Sequence, residues 1–187
     1  MEFEIKLVAP DVNVLDSIAF AFPQGTEKAM SARYFDTASG ALSARKWTLR
    51  LRQEGEKKVL TFKTKGEGYA RGEWEYETDT TDGCGKILLS LGAPQELESL
   101  LQAPLHEVCG AEFTRRATLV QYGESTLELS CDSGRLYKGE KSQIICEAEV
   151  ELKEGREEDA VAFAKELATR FALKEESKSK FVRAINL

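Results

Sequence analysis

Histidine is almost missing from this chain of 187 residues, in which His106 stands alone. A single imidazole cannot build the multi-histidine shells that usually hold zinc or iron, and it has no second ring to share acid–base work. The four cysteines, Cys84, Cys109, Cys131 and Cys146, include no C-x-x-C pair. That excludes a zinc ribbon and a thioredoxin-like redox site, and four reduced thiols are expected. Long apolar runs are lacking too. The longest, Ile18 to Phe22, falls far short of the ~20 residues that span a bilayer. The opening Met1-Glu2-Phe3-Glu4-Ile5-Lys6 has no basic stretch leading into an apolar one, so no secretory leader, no membrane partner and a cytoplasmic location are expected. No G-x-x-x-x-G-K-[ST] occurs, which excludes phosphate chemistry on a P-loop. Positive charge is in deficit, 26 Lys and Arg against 32 Asp and Glu for a net −6. No nucleic-acid partner is therefore expected on a diffuse basic surface. A small polyanion could still bind where positive charge is concentrated.

The composition, 42% hydrophobic and 31% charged, is that of a globular protein, and the length suits one domain over 1–187. Helical periodicity appears three times. Val14, Leu15, Ile18 and Phe22 form a stripe behind a candidate N-cap, Asp11; Leu97, Leu100 and Leu101 follow Pro94; and Val161, Ala164, Leu167, Ala168 and Phe171 lie within 157–172. The rest alternates with period two, predicting strands near 2–8, 31–36, 47–53, 58–65, 72–79, 114–121, 125–132 and 144–152, with a short one at 135–138. Turn-rich stretches at Thr37–Gly40, Gly66–Gly68, Asp82–Gly85 and Ser133-Gly134 separate them, Gly66–Gly68 reading as a hairpin turn rather than a phosphate cradle. A mainly antiparallel α+β domain is expected.

The strand faces carry the functional argument. Glu2, Glu4 and Lys6 share one side of the first strand, Arg50 and Arg52 one side of the third, and Lys63 and Lys65 one side of the fourth. Glu73, Glu75 and Glu77 line the fifth, Glu128, Ser130 and Asp132 the seventh, and Glu147, Glu149 and Glu151 the eighth. Charged faces turned to water would be the ordinary explanation. A solvated face, however, usually mixes signs, whereas here two strands are purely basic and two carry three carboxylates in a row. Stacked carboxylates call for a cation and stacked Arg and Lys for an anion. Without histidine or paired cysteine the cation is a hard one, Mg²⁺ or Mn²⁺. A metal-bound polyphosphate, its oxygens against Arg50, Arg52, Lys63 and Lys65, satisfies both halves.

These residues also resemble a known family. Glu2-x-Glu4-x-Lys6 resembles the E-x-E-x-K signature of the CYTH superfamily, the triphosphate tunnel metalloenzymes. Tyr34-Phe-Asp-Thr37, Leu42 and Leu49-Arg-Leu-Arg52 are similar to its Y-[YF]-[DE]-T…L…L-R-x-R segment. Thr61-Phe-Lys63-Thr-Lys65, Arg71-Gly-Glu73, Arg115, Asp132, Glu147–Glu151 and Ser177-Lys-Ser-Lys180 match later positions in order. The resemblance covers essentially the whole chain. It implies a closed antiparallel tunnel of about eight strands, charged inside, with helices packed outside.

It also implies phosphate ligands at Lys6, Arg50, Arg52, Lys63, Lys65, Arg115 and Lys180. Glu2, Glu4, Glu147 and Glu149 become metal ligands, with Asp132, Glu151, Glu73 and Glu75 as further candidates. Glu4, Arg52, Lys63 and Glu149 fall at the reacting centre, and Tyr34 is either core or a tunnel-wall hydroxyl. Glu77 extends the acidic run beyond the pattern. The implied reaction is metal-assisted attack of water on the terminal phosphorus of tripolyphosphate, by a monomer or homodimer. The spacing between Leu42 and Leu49-Arg-Leu-Arg52 is most similar to the inorganic triphosphatase branch. Class IV adenylate cyclase, thiamine triphosphatase and a non-catalytic polyphosphate- or nucleotide-binding module are the alternatives. Trp47 and Trp74 could stack a thiamine ring but are expected to pack on the apolar side of their strands, and His106 is expected in a loop.

Overall fold

Period-two segments with one apolar face bury that face only by pairing edge to edge and laying it under helices. The computed structural model, which describes residues 3–64 and 72–187, does this with one sheet. Its strands are β1 (Glu4–Val8), β2 (Thr26–Thr37), β3 (Thr48–Glu54), β4 (Lys57–Lys63), β5 (Glu73–Glu77), β6 (Leu105–Tyr122), β7 (Ser125–Lys138), β8 (Lys141–Glu154) and β9 (Lys174–Glu175). They hydrogen-bond in the order β5-β4-β3-β2-β6-β7-β8-β1-β9, and every pairing is antiparallel. The helices are α1 (Val12–Ala21), α2 (Cys84–Ser90), α3 (Glu96–Leu100), α4 (Glu157–Phe171) and α5 (Lys180–Ile185), with a short 3₁₀ turn at Ser43–Arg45. This is the expected α+β class with a large antiparallel sheet. No helix among the described residues is long and apolar enough to cross a membrane.

Two apolar layers cover the outer face. Leu15 and Ile18 of α1 and Phe163, Ala164 and Leu167 of α4 pack on Leu7, Leu127, Leu129, Ala148 and Val150 of β1, β7 and β8. Leu88 of α2 and Leu97 of α3 pack on Leu49, Leu51, Leu60 and Phe62 of β3 and β4. Each such side chain contributes about 1.5–3 kcal/mol by leaving water. The start of α1 follows from its sequence: Asp11 accepts from the N–H groups of Asn13 (2.8 Å) and Val14 (3.2 Å), satisfying two donors a helix leaves open. The first turn of α4 carries Glu157, Glu158 and Asp159, and its last turn Arg170, as the helix dipole favours.

A third apolar cluster corrects one expectation. Met30, Ala32, Tyr34, Cys109, Ala111, Phe113, Leu136 and Ile145 are buried with Phe181 and Ala184 of α5. Strand register puts Ala32 opposite Arg52 and Tyr34 opposite Arg50, so this cluster lies on the same face as the charged residues. Four helices pack outside, but α5 packs inside, against the apolar half of the charged face. Other departures have local causes. Residues 82–85 read as a turn because of their glycines, yet Gly83, at φ 68°, is the residue that starts α2. Strand β6 begins at Leu105 rather than near 114 and carries His106, exposed, on a strand. Its early alternation is broken by Gly110 and by a register shift opposite Tyr34/Phe35. The four cysteines are free.

Asp36, almost fully buried, closes the turn after β2. Its carboxylate accepts from the N–H groups of Thr37 (2.7 Å), Leu42 (2.9 Å) and Ser43 (2.9 Å) and from the Ser43 hydroxyl (2.6 Å). Burial would raise its pKa, but these donors together outweigh burial and hold it below the ordinary value. The stabilisation is therefore present above the unfolded-state pKa of ~3.9 and is lost as pH falls through the lower folded value. D36N, whose amide can no longer accept at every position, should lose about 2 kcal/mol at pH 7. In denaturant melts the gap to wild type should narrow steadily below about pH 4.

Candidate functional site

Register alone assembles an acidic wall. Across β7, β8 and β1, Glu128, Glu151 and Glu4 form one rung; Ser130, Glu149 and Lys6 the next; and Asp132 and Glu147 a third. Adjacent strands lie about 4.8 Å apart, so each rung brings its side chains to neighbouring positions. The basic wall lies on β3 and β4, where Tyr34, Arg50, Thr61 and Glu75 share a rung and Lys63 pairs with Glu73 at 3.1 Å. The sheet curls these walls together. Arg52 of β3 feels Arg115 of β6 and Glu75 of β5, and Arg115 feels Glu4 of β1.

The innermost rung is held by cations from three elements. Arg115 binds Asp132 through two parallel bonds (2.8 and 2.7 Å) and also reaches Glu149. Lys180 sits 2.8 Å from Asp132, 3.2 Å from Glu147 and 2.7 Å from Glu149. Arg183 bonds the remaining Glu147 oxygen. Every oxygen of these three buried carboxylates thus faces a cation. Burial would push the Glu149 carboxyl up, but Lys180, Arg115 and Lys6 hold it well below the usual range. Burial would likewise lower Arg115 and Lys180, and their carboxylate partners raise both. Phe113 lies beneath both cations, 5.7 Å from Arg115 and 5.1 Å from Lys180.

The outer acidic rung is different. Glu4 pairs with Lys6 at 3.2 Å, Glu151 with Lys153 at 2.8 Å, and Glu128 lies 3.8 Å from Lys153. These carboxylates keep 22–30% of their side chains exposed, whereas Asp132 and Glu147 keep none. On the basic wall, Arg50 donates to Thr61 at 3.4 Å, while its Nε is buried without an acceptor among the described residues. Arg52 Nε lies 2.7 Å from Glu54 but makes no hydrogen bond among the described residues. Burial and the neighbouring Arg50 lower the pKa of Arg52. Two buried guanidinium N–H groups without acceptors, side by side, are suited to an anion.

Among the described residues no group of three His, Cys, Asp or Glu side chains forms a ready metal cage. The chemistry of the donor set nevertheless fits a hard divalent cation, because the outer rung and Glu149 offer only carboxylate oxygens. Of the predicted site residues, the structure brings together Glu4, Lys6, Arg115, Asp132, Glu147, Glu149, Glu151 and Lys180. Arg50, Arg52, Lys63, Glu73, Glu75 and Tyr34 stand on the facing strands. Tyr34 is buried against Phe181, ring centroids 5.0 Å apart, and burial raises its pKa. Glu77, mostly exposed and 3.4 Å from Lys57, stands at the rim. Glu2, Lys65, Arg71 and the Gly66–Gly68 turn lie outside the described residues. Arg183 was not foreseen; its signal is the i, i+3 spacing from Lys180, legible only once that segment is read as a helix.

The CYTH domain model matches residues 1–185. The chain belongs to the CYTH family. Among curated relatives, the inorganic triphosphatase of Haemophilus influenzae is 31% identical over 136 residues, 72% of this chain and 39% of that protein. The chain thus spans about two fifths of that relative's length. Among solved structures, the CYTH domain resembles an adenylyl cyclase candidate from Hippeastrum with a dominant triphosphatase activity. That likeness has TM-score 0.68 at 21% identity, covering 100% of this chain and 96% of that one. A candidate adenylate cyclase from Bacillus halodurans is similar at TM-score 0.64 and 19% identity, covering 98% and 96%. At these identities the structural likeness establishes the fold.

Proposed function

We propose that this CYTH domain hydrolyses inorganic tripolyphosphate to pyrophosphate and phosphate. The observation that carries the reading is the pair of facing walls: Arg50, Arg52 and Lys63 on one side, and the carboxylates of β1, β7 and β8 on the other. The triphosphatase activity of the Haemophilus relative supports it.

In this reading Arg50, Arg52, Lys63, Lys6, Arg115 and Lys180 bind the phosphate chain, with Lys65 as a further ligand. Glu4, Glu149 and Glu151, together with Glu2, would hold Mg²⁺ or Mn²⁺. Such an ion supplies positive charge to phosphate oxygens and acidifies water. The phosphoryl group leaves through a loose, highly charged transition state, so catalysis rests on positioning and electrostatics rather than a covalent nucleophile. Arg50 and Arg52, partly desolvated and fixed on one strand, are pre-arranged to stabilise charge on the departing pyrophosphate. Asp132 and Glu147, whose side chains have no exposed area, serve as counter-ions to Arg115, Lys180 and Arg183.

The thiamine reading loses its platform, since Trp47 and Trp74 both pack on Phe62 in the outer apolar layer, at 5.4 and 5.7 Å between ring centroids. Phosphate release from tripolyphosphate, ATP and thiamine triphosphate, each with Mg²⁺, Mn²⁺ or EDTA, tests the proposal. Metal-dependent release from tripolyphosphate, with ATP a poor second and EDTA reducing the rate at least ~1,000-fold, is expected. Pyrophosphate and a cyclic nucleotide from ATP would instead establish a cyclase. Tight triphosphate binding without turnover would establish a binding module.

A further inference from the structure

Lys180 has two incompatible tasks if the proposed function holds, and this inference rests on that reading. As a phosphate ligand its ammonium must turn toward the substrate, yet in this structure it neutralises Asp132, Glu147 and Glu149 together. Asp132 and Glu149 keep a second strong cation, because Arg115 reaches both. Glu147 has Arg183 in that place instead. It is fully buried, and among the described residues its Oε2 bonds Lys180 and its Oε1 bonds Arg183. A buried carboxylate stripped of its cations is strongly destabilising, so without Arg183 Glu147 would pull Lys180 back from any substrate that recruits it.

We infer that Arg183 is a positioning residue for triphosphate binding: it keeps Glu147 neutralised so that Lys180 is free to engage phosphate. Three observations carry this. Arg183 stands one turn after Lys180 on α5, so a rigid element presents both to the same carboxylate. Its side chain is only 10% exposed, which places the pairing in a medium where charge compensation is strong. It uses one nitrogen on Glu147 while its Nε is buried without an acceptor among the described residues, leaving a spare donor for the oxygen that Lys180 vacates. Helix α5 is also pinned at its far end, where Lys138 of β7 donates to the Ile185 carbonyl at 2.6 Å. Arg183 therefore stays in place while the Lys180 side chain swings.

The test is calorimetric titration of the folded protein with tripolyphosphate in EDTA, together with steady-state kinetics under Mg²⁺. R183M should bind tripolyphosphate about tenfold more weakly or worse, with KM raised more than kcat is lowered. R183K should retain most of the affinity. Removing the charge that holds Lys180 should repair the defect, so E147Q/R183M should bind within about threefold of wild type. If R183M does not fold, E147Q alone carries the test and should bind at least as tightly as wild type. A merely structural Arg183 would lower the melting temperature while leaving affinity per folded molecule unchanged. That result, a double variant as weak as R183M, or weakened binding by E147Q would each overturn the inference. Wild-type protein that binds no tripolyphosphate would overturn the proposed function, and the role of Arg183 with it.

Discussion

K180M should reduce tripolyphosphate hydrolysis at least ~100-fold and also destabilise the fold by about 3–5 kcal/mol. The two effects have separate origins. The stability loss arises because one ammonium serves three buried carboxylates at 2.7–3.2 Å; removing it leaves three negative charges against Arg115, Arg183 and the more distant Lys6. The rate loss arises because a positive charge facing the substrate is gone. The double variant E147Q/K180M separates them: chemical denaturation should show much of the stability restored, while phosphate release stays low. Recovery of hydrolysis in that variant would make Lys180 a counter-ion only.

F62A should destabilise by a similar amount, about 3–5 kcal/mol, with the opposite effect on chemistry. Phe62 is completely buried, edge-on to Trp47 at 5.4 Å and stacked on Trp74 at 5.7 Å. Its neighbours along β4, Thr61 and Lys63, face the charged interior. Truncation therefore opens a cavity under α2 and α3 without touching either wall. At a temperature where the variant remains folded, kcat/KM should stay within about threefold of wild type, in keeping with its distance from charged groups. A large drop in kcat/KM in folded F62A would mean that the two faces of β4 do not divide packing from chemistry as cleanly as the register implies.

That division was legible in the sequence because strand alternation is local. Arg50 and Arg52 against Leu49 and Leu51, or Glu147 and Glu149 against Ala148 and Val150, need only a period of two to be sorted. The helices α1 and α4 were likewise written in their apolar stripes, and the Asp11 cap in its residue type. What escaped has a common cause. Helix α5 is six residues long and begins in a run of lysines and serines, so its apolar face is too short to register as a period. Yet it lies against Tyr34, Phe113 and Leu136, residues brought together only by the curl of the sheet. Missing α5 meant missing Arg183. It also hid the fact that Asp132 and Glu147 are saturated by protein cations, while Glu4 and Glu151 sit in the more exposed rung. The buried role of Asp36 was hidden for a related reason, since its partners Leu42 and Ser43 belong to a turn with no repeating pattern.

The placement of α5 has a consequence for how the molecule is made. Glu4 and Lys6 belong to β1 and Lys180 to α5, so the charged interior is completed by segments far apart in the order of synthesis. Contacts that distant in sequence are slow to form. A chain emerging from a ribosome could complete β6, β7 and β8 as consecutive hairpins, yet Asp132, Glu147 and Glu149 would then face one another with Arg115 and Lys6 alone to oppose them. Until Lys180 and Arg183 arrive, those strands have reason to remain open and hydrated, and the neutralising helix becomes the step that locks the sheet.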